Sequence, residues 1–357
     1  MAFRSRFELG GVTSSEHFWC VPYVGTKRKI AADLLRKIVS RHPKMTHLYD
    51  LFGGGAAMSS CAVTNAPFLK TIHYNEYDVS VYSLIRFMHD WFFYKKPSRW
   101  TGSTLPQEWY RWIDRDEFQA FKRSPTHVGG LMRAVWGFGQ MFSYLCPDDM
   151  ASYKSKVHNF IVDGSCKEEL EAIYGFELPN MQHHTLVNDR RLHFQRFINS
   201  KLLCLPMAKL EEKLAQFSIN ANATLDSVHQ SQQIHPLQRL YRMSNCQAFT
   251  KFTEITNLSY NEVEIPNRPE TVIYLDPPYK GTAPTGYSCG SSFDYESFYD
   301  WCRKQPYPVY ISEYDMPSDF TCIMEINVKV SLASYCHDKA SRVHTDAVEK
   351  LFWNGKS

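Results

Sequence analysis

The chain has 357 residues, 44% hydrophobic and 15% aromatic, enough to bury one large core and have room for a second, smaller unit. Its 40 basic and 37 acidic residues leave a net charge of only +3, so bulk charge does not by itself point to a nucleic-acid partner; basic residues would have to converge on one side. No apolar run approaches the ~20 residues needed to cross a bilayer, and scattered cysteines without a leader segment lead us to expect a soluble protein of a reducing cytosol.

Residues 1–16 lack clear periodicity and are expected to form a loose arm. The stretch Pro22, Tyr23, Val24, Gly25, Thr26, Lys27 then leads into a helical pattern over residues 31–39. Lys27 is placed to reach the carboxylate of an amino-acid-bearing cofactor through a charge-assisted bond; a solvated basic helix start is the plainer alternative. Residues 46–58 read as a short strand ending at Asp50, a turn of Phe52, Gly53, Gly54 and Gly55, and a helix start at Ala56. Glycines let the backbone approach a ligand closely and take up positive φ. A second strand follows and ends at Asn75 and Glu76, an acid roughly 20 residues past the turn, where a ribose-gripping carboxylate belongs. The full G-x-G-x-x-G fingerprint is absent, so tight helix–strand packing remains an alternative role for these glycines.

Between this unit and the next clear strand lie nearly 200 residues, too many for an ordinary crossover. We expect an inserted, mainly helical unit here. Its basic positions cluster at Arg190, Arg191, Arg196 and Lys201, and again at Lys95, Lys96, Arg99, Arg111, Arg115, Lys122 and Arg123. Arg190, Arg191, Arg196, Lys201, Lys122 and Arg123 are the candidate DNA contacts, with solvated helix faces as the alternative. Acids at Asp114, Asp116, Glu117, Asp148 and Asp149 sit in the same region, so binding away from a target should be moderate and salt-sensitive. The stretch His235 to Met243 reads as a helix after its proline, with a role beside DNA as one reading.

The buried-looking strand 271–275 runs directly into Asp276, Pro277, Pro278 and Tyr279. An aromatic amine is a poor nucleophile, because its lone pair is delocalised. A carboxylate and a rigid backbone carbonyl that accept its N–H bonds favour the developing positive charge. Asp276 supplies the first acceptor and Pro277 the second. The two prolines hold the turn rigid, and Tyr279 offers a π face to a flat base. A strand end with a proline turn is the competing explanation. Beyond it, Gly286, Tyr287, Gly290, Phe293 and Tyr295 suggest either a loop closing over a bound base or an ordinary surface loop. Residues 308–314 and 349–353 close the chain as further strands.

Several chemistries lack support. None of the 10 cysteines directly follows a proline, which disfavours covalent cytosine methylation. No C-x-x-C pair occurs, and the 14 histidines form neither H-E-x-x-H nor a deaminase signature, so no metal is expected.

Taken in order, Pro22 to Lys27, Tyr49 to Ala56, Asn75 to Asp78, Val135 to Gly139, Glu254 to Tyr260, Val272 to Thr282 and Tyr310 to Phe320 resemble the N6-adenine DNA methyltransferases, especially their phage and prophage branch, the D12 class. The resemblance runs from about residue 20 to residue 355 and thins over residues 145–235. It implies an α/β, Rossmann-like S-adenosylmethionine-dependent methyltransferase sheet with an inserted, mainly helical target-recognition domain. It also implies that Tyr23, Lys27 and the turn Phe52, Gly53, Gly54, Gly55 hold S-adenosylmethionine. Glu76 would bind its ribose, and Asp50 would lie near its methionine end. Asp276, Pro277, Pro278 and Tyr279 would form the pocket for a flipped adenine, with Asp276 also next to the cofactor. The implied partner is double-stranded DNA, bound by a monomer, or a dimer on DNA, in the cytoplasm of a bacterium or phage-infected cell. Such an enzyme works as an orphan methylase or in a restriction–modification pair; with no nuclease-like cluster in view, a stand-alone enzyme is expected. Two departures stand out. Ala56 replaces the usual last glycine, and the segment from Trp136 to Met141 lacks the family's asparagines and is read as packing.

The expected layout is an arm at 1–16, a catalytic domain from 17–95 and 255–357, and a recognition insert at 96–254. The leading function is site-specific adenine N6-methylation of DNA. The alternatives are an RNA adenine or protein amide methyltransferase, and a DNA-binding protein with a decayed cofactor site.

Overall fold

The computed structural model describes residues 18–23, 25–94, 105–137, 142–145, 148–184, 187–202, 204–215, 235–280, 293–331 and 344–357. Lys95, Lys96, Arg99, Gly286, Tyr287, Gly290, the arm 1–16 and residues 138–141 of the tryptophan segment lie outside the described residues.

Seven strands form one mixed sheet: β1 (His47–Asp50), β2 (Thr71–Asn75), β3 (Glu254–Thr256), β4 (Thr271–Leu275), β5 (Val309–Glu313), β6 (Thr321–Ser331) and β7 (His344–Trp353). Their order is 3-2-1-4-5-7-6. The first five run parallel, and β7 enters antiparallel between β5 and β6. This is the Rossmann-like sheet of the class I S-adenosylmethionine-dependent methyltransferases, with a large helical insertion between β2 and β3. The strand 254–256 lies outside the two blocks in which the strand pattern is legible. It is three residues long and half exposed, so it carries little apolar periodicity.

The strands β2, β4 and β5 are buried at every position, as expected where both sheet faces are covered. Successive side chains point to opposite faces. Leu48, Ile72, Val272, Tyr274 and Tyr310 enter one core, while Tyr49, Ile273, Leu275, Val309 and Ile311 enter the other. The first core is closed by α1 (Ala31–Arg41), α2 (Ala57–Asn65) and α3 (Val79–Tyr94). In α1 the buried positions Ala31, Leu34, Leu35 and Ile38 recur at helical spacing and form a single apolar stripe.

The insert divides into two parts by core membership. Short helices α4 (Arg115–Phe121) and α5 (His127–Leu131) run into a π-helical turn at Met132–Trp136. Trp112, Phe118 and Trp136 from this stretch belong to the first sheet core. Only α6 (Asp148–Asp163), α7 (Lys167–Tyr174), α8 (Val187–Leu202) and their neighbours enclose a separate cluster, which includes Phe160, Leu170, Phe194 and Ile198. Helix α9 (Met207–Ala215) follows, and α10 (His235–Ser244) returns the chain to the sheet core through Leu240 and Met243. Two buried arginines fasten the first part to the sheet. Arg133 makes a bidentate pair with Asp78, at 2.7 and 2.8 Å, just past the end of β2. Arg239 of α10 donates to the Val135 and Gly137 carbonyls at 2.8 Å, which the end of the π-turn leaves without helical partners.

The turn between β1 and α2 shows where the chain needs its glycines. A Cβ on Gly53 would lie 2.2 Å from the Tyr74 ring, and Gly54 has φ +49°. Ala56 itself adopts the left-handed region, with φ 64° and ψ 36°, at the start of α2. A left-handed alanine costs roughly 1–2 kcal/mol, of which glycine's larger unfolded-state entropy returns part. Ala56→Gly should therefore stabilise the fold by about 0.5–1 kcal/mol in urea unfolding; an unchanged midpoint would mean that the turn carries no such strain.

Candidate active site

Parallel sheets place loops at the carboxyl ends of their strands, and a crevice opens where the chain reverses its direction of strand addition. Here that point lies between β1 and β4, which pair in register from His47 with Thr271 to Asp50 with Tyr274. A cavity of about 510 Å³ occupies this position, within the roughly 300–1,000 Å³ of small-molecule sites. Its walls include Tyr23 and Lys27, the turn 52–55, and the acids Asp50, Glu76 and Asp276 from the ends of β1, β2 and β4. Asp50 and Asp276, 226 positions apart in the chain, are thus brought to one crevice by sheet order.

Each acid is held differently. Asp50 Oδ2 accepts from the Ser59 amide at 3.2 Å and the Ser59 hydroxyl at 2.6 Å, which ties β1 to α2. Its Oδ1 is buried and has no hydrogen-bond partner among the described residues. Burial pushes the Asp50 carboxyl up to about 7, against the Ser59 bonds. Glu76 accepts from the Gly54 amide at 2.7 Å and from the Asp78 amide at 2.8 Å, so it braces the glycine turn as well as facing the cavity. Burial raises it to about 7. Asp276 lies with Oδ1 2.9 Å from Lys27 Nζ. Burial still pushes it up to about 6, because desolvation outweighs the neighbouring ammonium.

Three sets of residues singled out from the sequence make contacts within the protein itself. First, Lys27, expected to grip a cofactor carboxylate, is buried and paired with Asp276. Second, Tyr279 and Pro277 are absent from the cavity wall among the described residues, whereas Pro278 is present. The Tyr279 ring lies against Lys27 Nζ, 4.6 Å from its centroid, and edge-on to Tyr314 at 4.7 Å. Its hydroxyl donates to Glu349 at 2.6 Å. The open stacking face foreseen for this ring is thus occupied by protein in this arrangement. A residue valued only for stacking would tolerate phenylalanine, but a bond to a charged, partly buried carboxylate is worth about 1.5–3 kcal/mol. Tyr279→Phe is accordingly expected to lower the unfolding free energy by an amount in that range; a change below about 0.5 kcal/mol would restore the simple stacking role. Third, Arg190 is buried, and its guanidinium donates to the carbonyls of His184, at 2.7 Å, and Val162, so it closes the helical lobe from within. It is not a phosphate contact in this structure.

The other basic candidates divide by environment. Arg123, Arg196 and Lys201 are exposed, Arg191 is half-buried, and Lys122 donates to the Phe142 carbonyl at 2.8 Å. Trp136 packs edge-on against Trp112 at 5.1 Å, away from the cavity wall, as a packing residue would.

Tyr77 and Tyr260 are wall residues to which the sequence reading assigns no role, and Asn75, Glu313 and Glu349 support the site from outside its wall. Phe52 stacks on Tyr260 with centroids 5.5 Å apart, and Phe293 closes on both. Tyr77 is 59% exposed beside Glu76 and presents an aromatic surface to the cavity. Asn75 uses its side-chain amide to bind the Leu51 and Leu258 carbonyls at 3.0 Å, joining the β1 and β3 ends. Glu313, at the end of β5, accepts from the Lys280 and Tyr314 amides and is raised to about 7 by burial. Glu349 is the fifth acid of the cluster. Glu313 ends β5 between Ser312 and Tyr314, and Glu349 lies in β7 between Val348 and Lys350, so nothing in their local sequence separates them from surface acids.

No protein-family model matches the chain, and no curated protein sequence matches it. Among the described residues there is no cluster of His, Cys, Asp and Glu able to hold a metal ion, and no helix long and apolar enough to cross a membrane.

Proposed function

We propose that the protein is a DNA adenine N6-methyltransferase that uses S-adenosylmethionine and takes its target base out of the duplex. The observation that carries this reading is the placement of Asp276, at the strand end beside a cavity whose other wall is the glycine turn and Asp50. The cavity suits the cofactor on three counts. Its volume matches a ligand of that size, the glycine turn brings backbone close to it, and the unpartnered Asp50 Oδ1 is a buried acceptor waiting for a cationic donor such as an α-ammonium group. Among the described residues Lys27 is the one cation on this wall, against Asp50, Glu76, Glu262, Asp276 and Asp294, so the charge balance also favours a sulfonium.

When bound, that cofactor supplies a methyl carbon made electrophilic by its sulfonium, and its sulfur keeps the electron pair of the broken bond. The residues of the chain do the remainder. Asp276 accepts an N–H of the target amine and draws electron density toward nitrogen as the N–C bond forms. Its carboxyl, pushed up to about 6 by burial, can take the proton that the methylated amine must shed. Glu76 and Gly54 hold the turn against the cofactor, and Phe52, Tyr260 and Phe293 shield that side from water. The helical insert, with Arg123, Arg196 and Lys201 exposed, is the surface we assign to phosphate contact. The partner would be double-stranded DNA in the cytoplasm of a bacterial or phage-infected cell, bound by a monomer.

Incubating purified protein with S-adenosylmethionine and mixed-sequence duplex DNA, then reading modified bases by single-molecule sequencing, tests this directly. N6-methyladenine at one recurrent sequence is the expected result. An unmodified duplex, with cofactor binding verified by calorimetry, would reject duplex adenine as the substrate and direct the same assay to RNA, single strands and protein amides.

A further inference from the structure

Burial alone drives a carboxyl toward its neutral form, which can no longer offer both oxygens to an amine. Lys27 opposes that drift, with Nζ 2.9 Å from Asp276 Oδ1. A lysine that closed fully on Asp276 would create a different difficulty. A tight contact pair satisfies the acceptor oxygen and lowers its basicity, so the carboxylate would be ionised but already engaged. The structure divides the ammonium instead. Nζ donates to the Gly25 carbonyl at 3.2 Å, and lies 2.9 Å from Asp276 Oδ1 and 3.9 Å from Glu349 Oε2 as an ion-pair partner of both. The same Glu349 oxygen accepts the Tyr279 hydroxyl at 2.6 Å, and the Tyr279 ring lies under Lys27 Nζ. Glu349 therefore lies against both Lys27 and Tyr279, two of the groups that face Asp276. It comes from the last strand, where β7 pairs with β5 and sets Glu313 opposite Lys350.

We infer that Glu349 is a positioning residue of the acceptor site, which draws part of the Lys27 ammonium away from Asp276 and anchors Tyr279, so that Asp276, held ionised by Lys27, remains basic and available to an incoming amine. This rests on the amine-methylation reading for its purpose, but not for its geometry.

Asp276 is faced by Lys27 from the turn 27–29, Tyr274 from its own strand, Asp50 from β1, Tyr314 and Glu313 from the β5 end, Tyr279 from the proline turn and Glu349 from β7. Among these the cation lowers the Asp276 pKa and Glu349 raises it. Removing the Glu349 charge should therefore shift Asp276 titration to lower pH, and removing Lys27 should shift it to higher pH. A glutamate whose charge is not felt at Asp276 would leave that titration in place when neutralised.

The test uses the full chain with Glu349→Gln, which keeps an amide oxygen for Tyr279, together with Glu349→Asp and Lys27→Gln. Two readouts are taken. One is the pH profile of kcat/KM for methyl transfer to DNA. The other is titration of the Asp276 carboxyl carbon by 13C NMR, assigned by its loss in Asp276→Asn. For Glu349→Gln we expect a cofactor Kd within about 3-fold of wild type, a kcat lower by about 10-fold or more, and an acid limb displaced to lower pH. The carboxyl midpoint should move in the same direction, Glu349→Asp should recover part of the rate, and Lys27→Gln should displace the midpoint upward. A carboxyl midpoint unmoved by Glu349→Gln overturns the inference, whatever happens to the rate. Should no substrate be methylated while the midpoints move as stated, the role of Glu349 stands and the methylation reading fails.

Discussion

Asp276→Ala is expected to reduce methyl transfer by about 100-fold or more while leaving S-adenosylmethionine affinity nearly unchanged. A preorganised acceptor aimed at charge that develops only in the transition state contributes about 2.7–4 kcal/mol, and its loss appears in kcat rather than in cofactor binding. The structure adds a control to this expectation. Asp276 also partners the buried Lys27, so deleting it leaves that ammonium with Glu349 at 3.9 Å as its remaining ion-pair partner. Breaking a buried pair from one side destabilises a fold strongly. Asp276→Asn retains the shape and one acceptor oxygen, and it should lose most of the rate. Single-turnover kinetics on both variants, with unfolding curves alongside, separates the two effects. A rate within about 5-fold of wild type in a folded Asp276→Asn protein would sink the assigned role.

Asp50→Asn is expected to weaken S-adenosylmethionine binding by about 30-fold or more, and at the same time to stabilise the ligand-free protein above neutral pH. Loss of affinity follows from removing the charge of a buried acceptor that has one oxygen unpartnered; truncating one side of such a pair costs roughly 2–5 kcal/mol. The gain in stability follows from linkage. Burial raises Asp50 from an ordinary carboxylate value to about 7 in the folded chain. A raised folded-state value means that the folded chain holds a proton the unfolded chain has released, so stability falls as pH rises from about 4 to about 7 and is level beyond. Asparagine has no proton to lose. The difference in stability between Asp50→Asn and wild type should therefore be small near pH 4, grow up to about pH 7 and stay constant above it, as read by urea unfolding at fixed pH steps. A difference independent of pH would show that Asp50 is already ionised without penalty. Calorimetric titration gives the affinity, and unimpaired binding by the variant would remove Asp50 from the cofactor site.

Much of the frame is legible in local sequence because strand ends and turns obey short-range rules. The run 271–275 is continuously apolar and flows into two prolines, and the structure makes it β4, buried at every residue. The glycine turn after Asp50 reads as strand, turn and helix start, and it is that. The alternation of Leu48 with Tyr49, or Val272 with Ile273, across two cores is the period of a strand with both faces covered. The weaker reading concerns charged side chains. Arg190 belongs to a basic cluster that looks like a DNA-facing surface, but a guanidinium with five donors can equally satisfy carbonyls inside a helical lobe, and here it does. Arg239 and Arg133 follow the same logic at the π-turn. Which of these is internal depends on how helices pack, and helical spacing alone does not say which arginine faces a core.

The sequence by itself determined the catalytic half of the fold, the strand ends that carry Asp50, Glu76 and Asp276, and the presence of a large helical insertion. These follow from periodicity, from glycine and proline chemistry and from chain length. Only the tertiary structure decided who partners whom. It set Lys27 against Asp276 on the cavity wall, turned Tyr279 onto Glu349 from a strand 70 residues away, and left one oxygen of Asp50 without a hydrogen-bond partner among the described residues. Such pairings join residues from strands whose order in the sheet differs from their order in the chain. Electrostatic energy depends on distance and burial in space, and neither is written in the spacing of residues along the sequence.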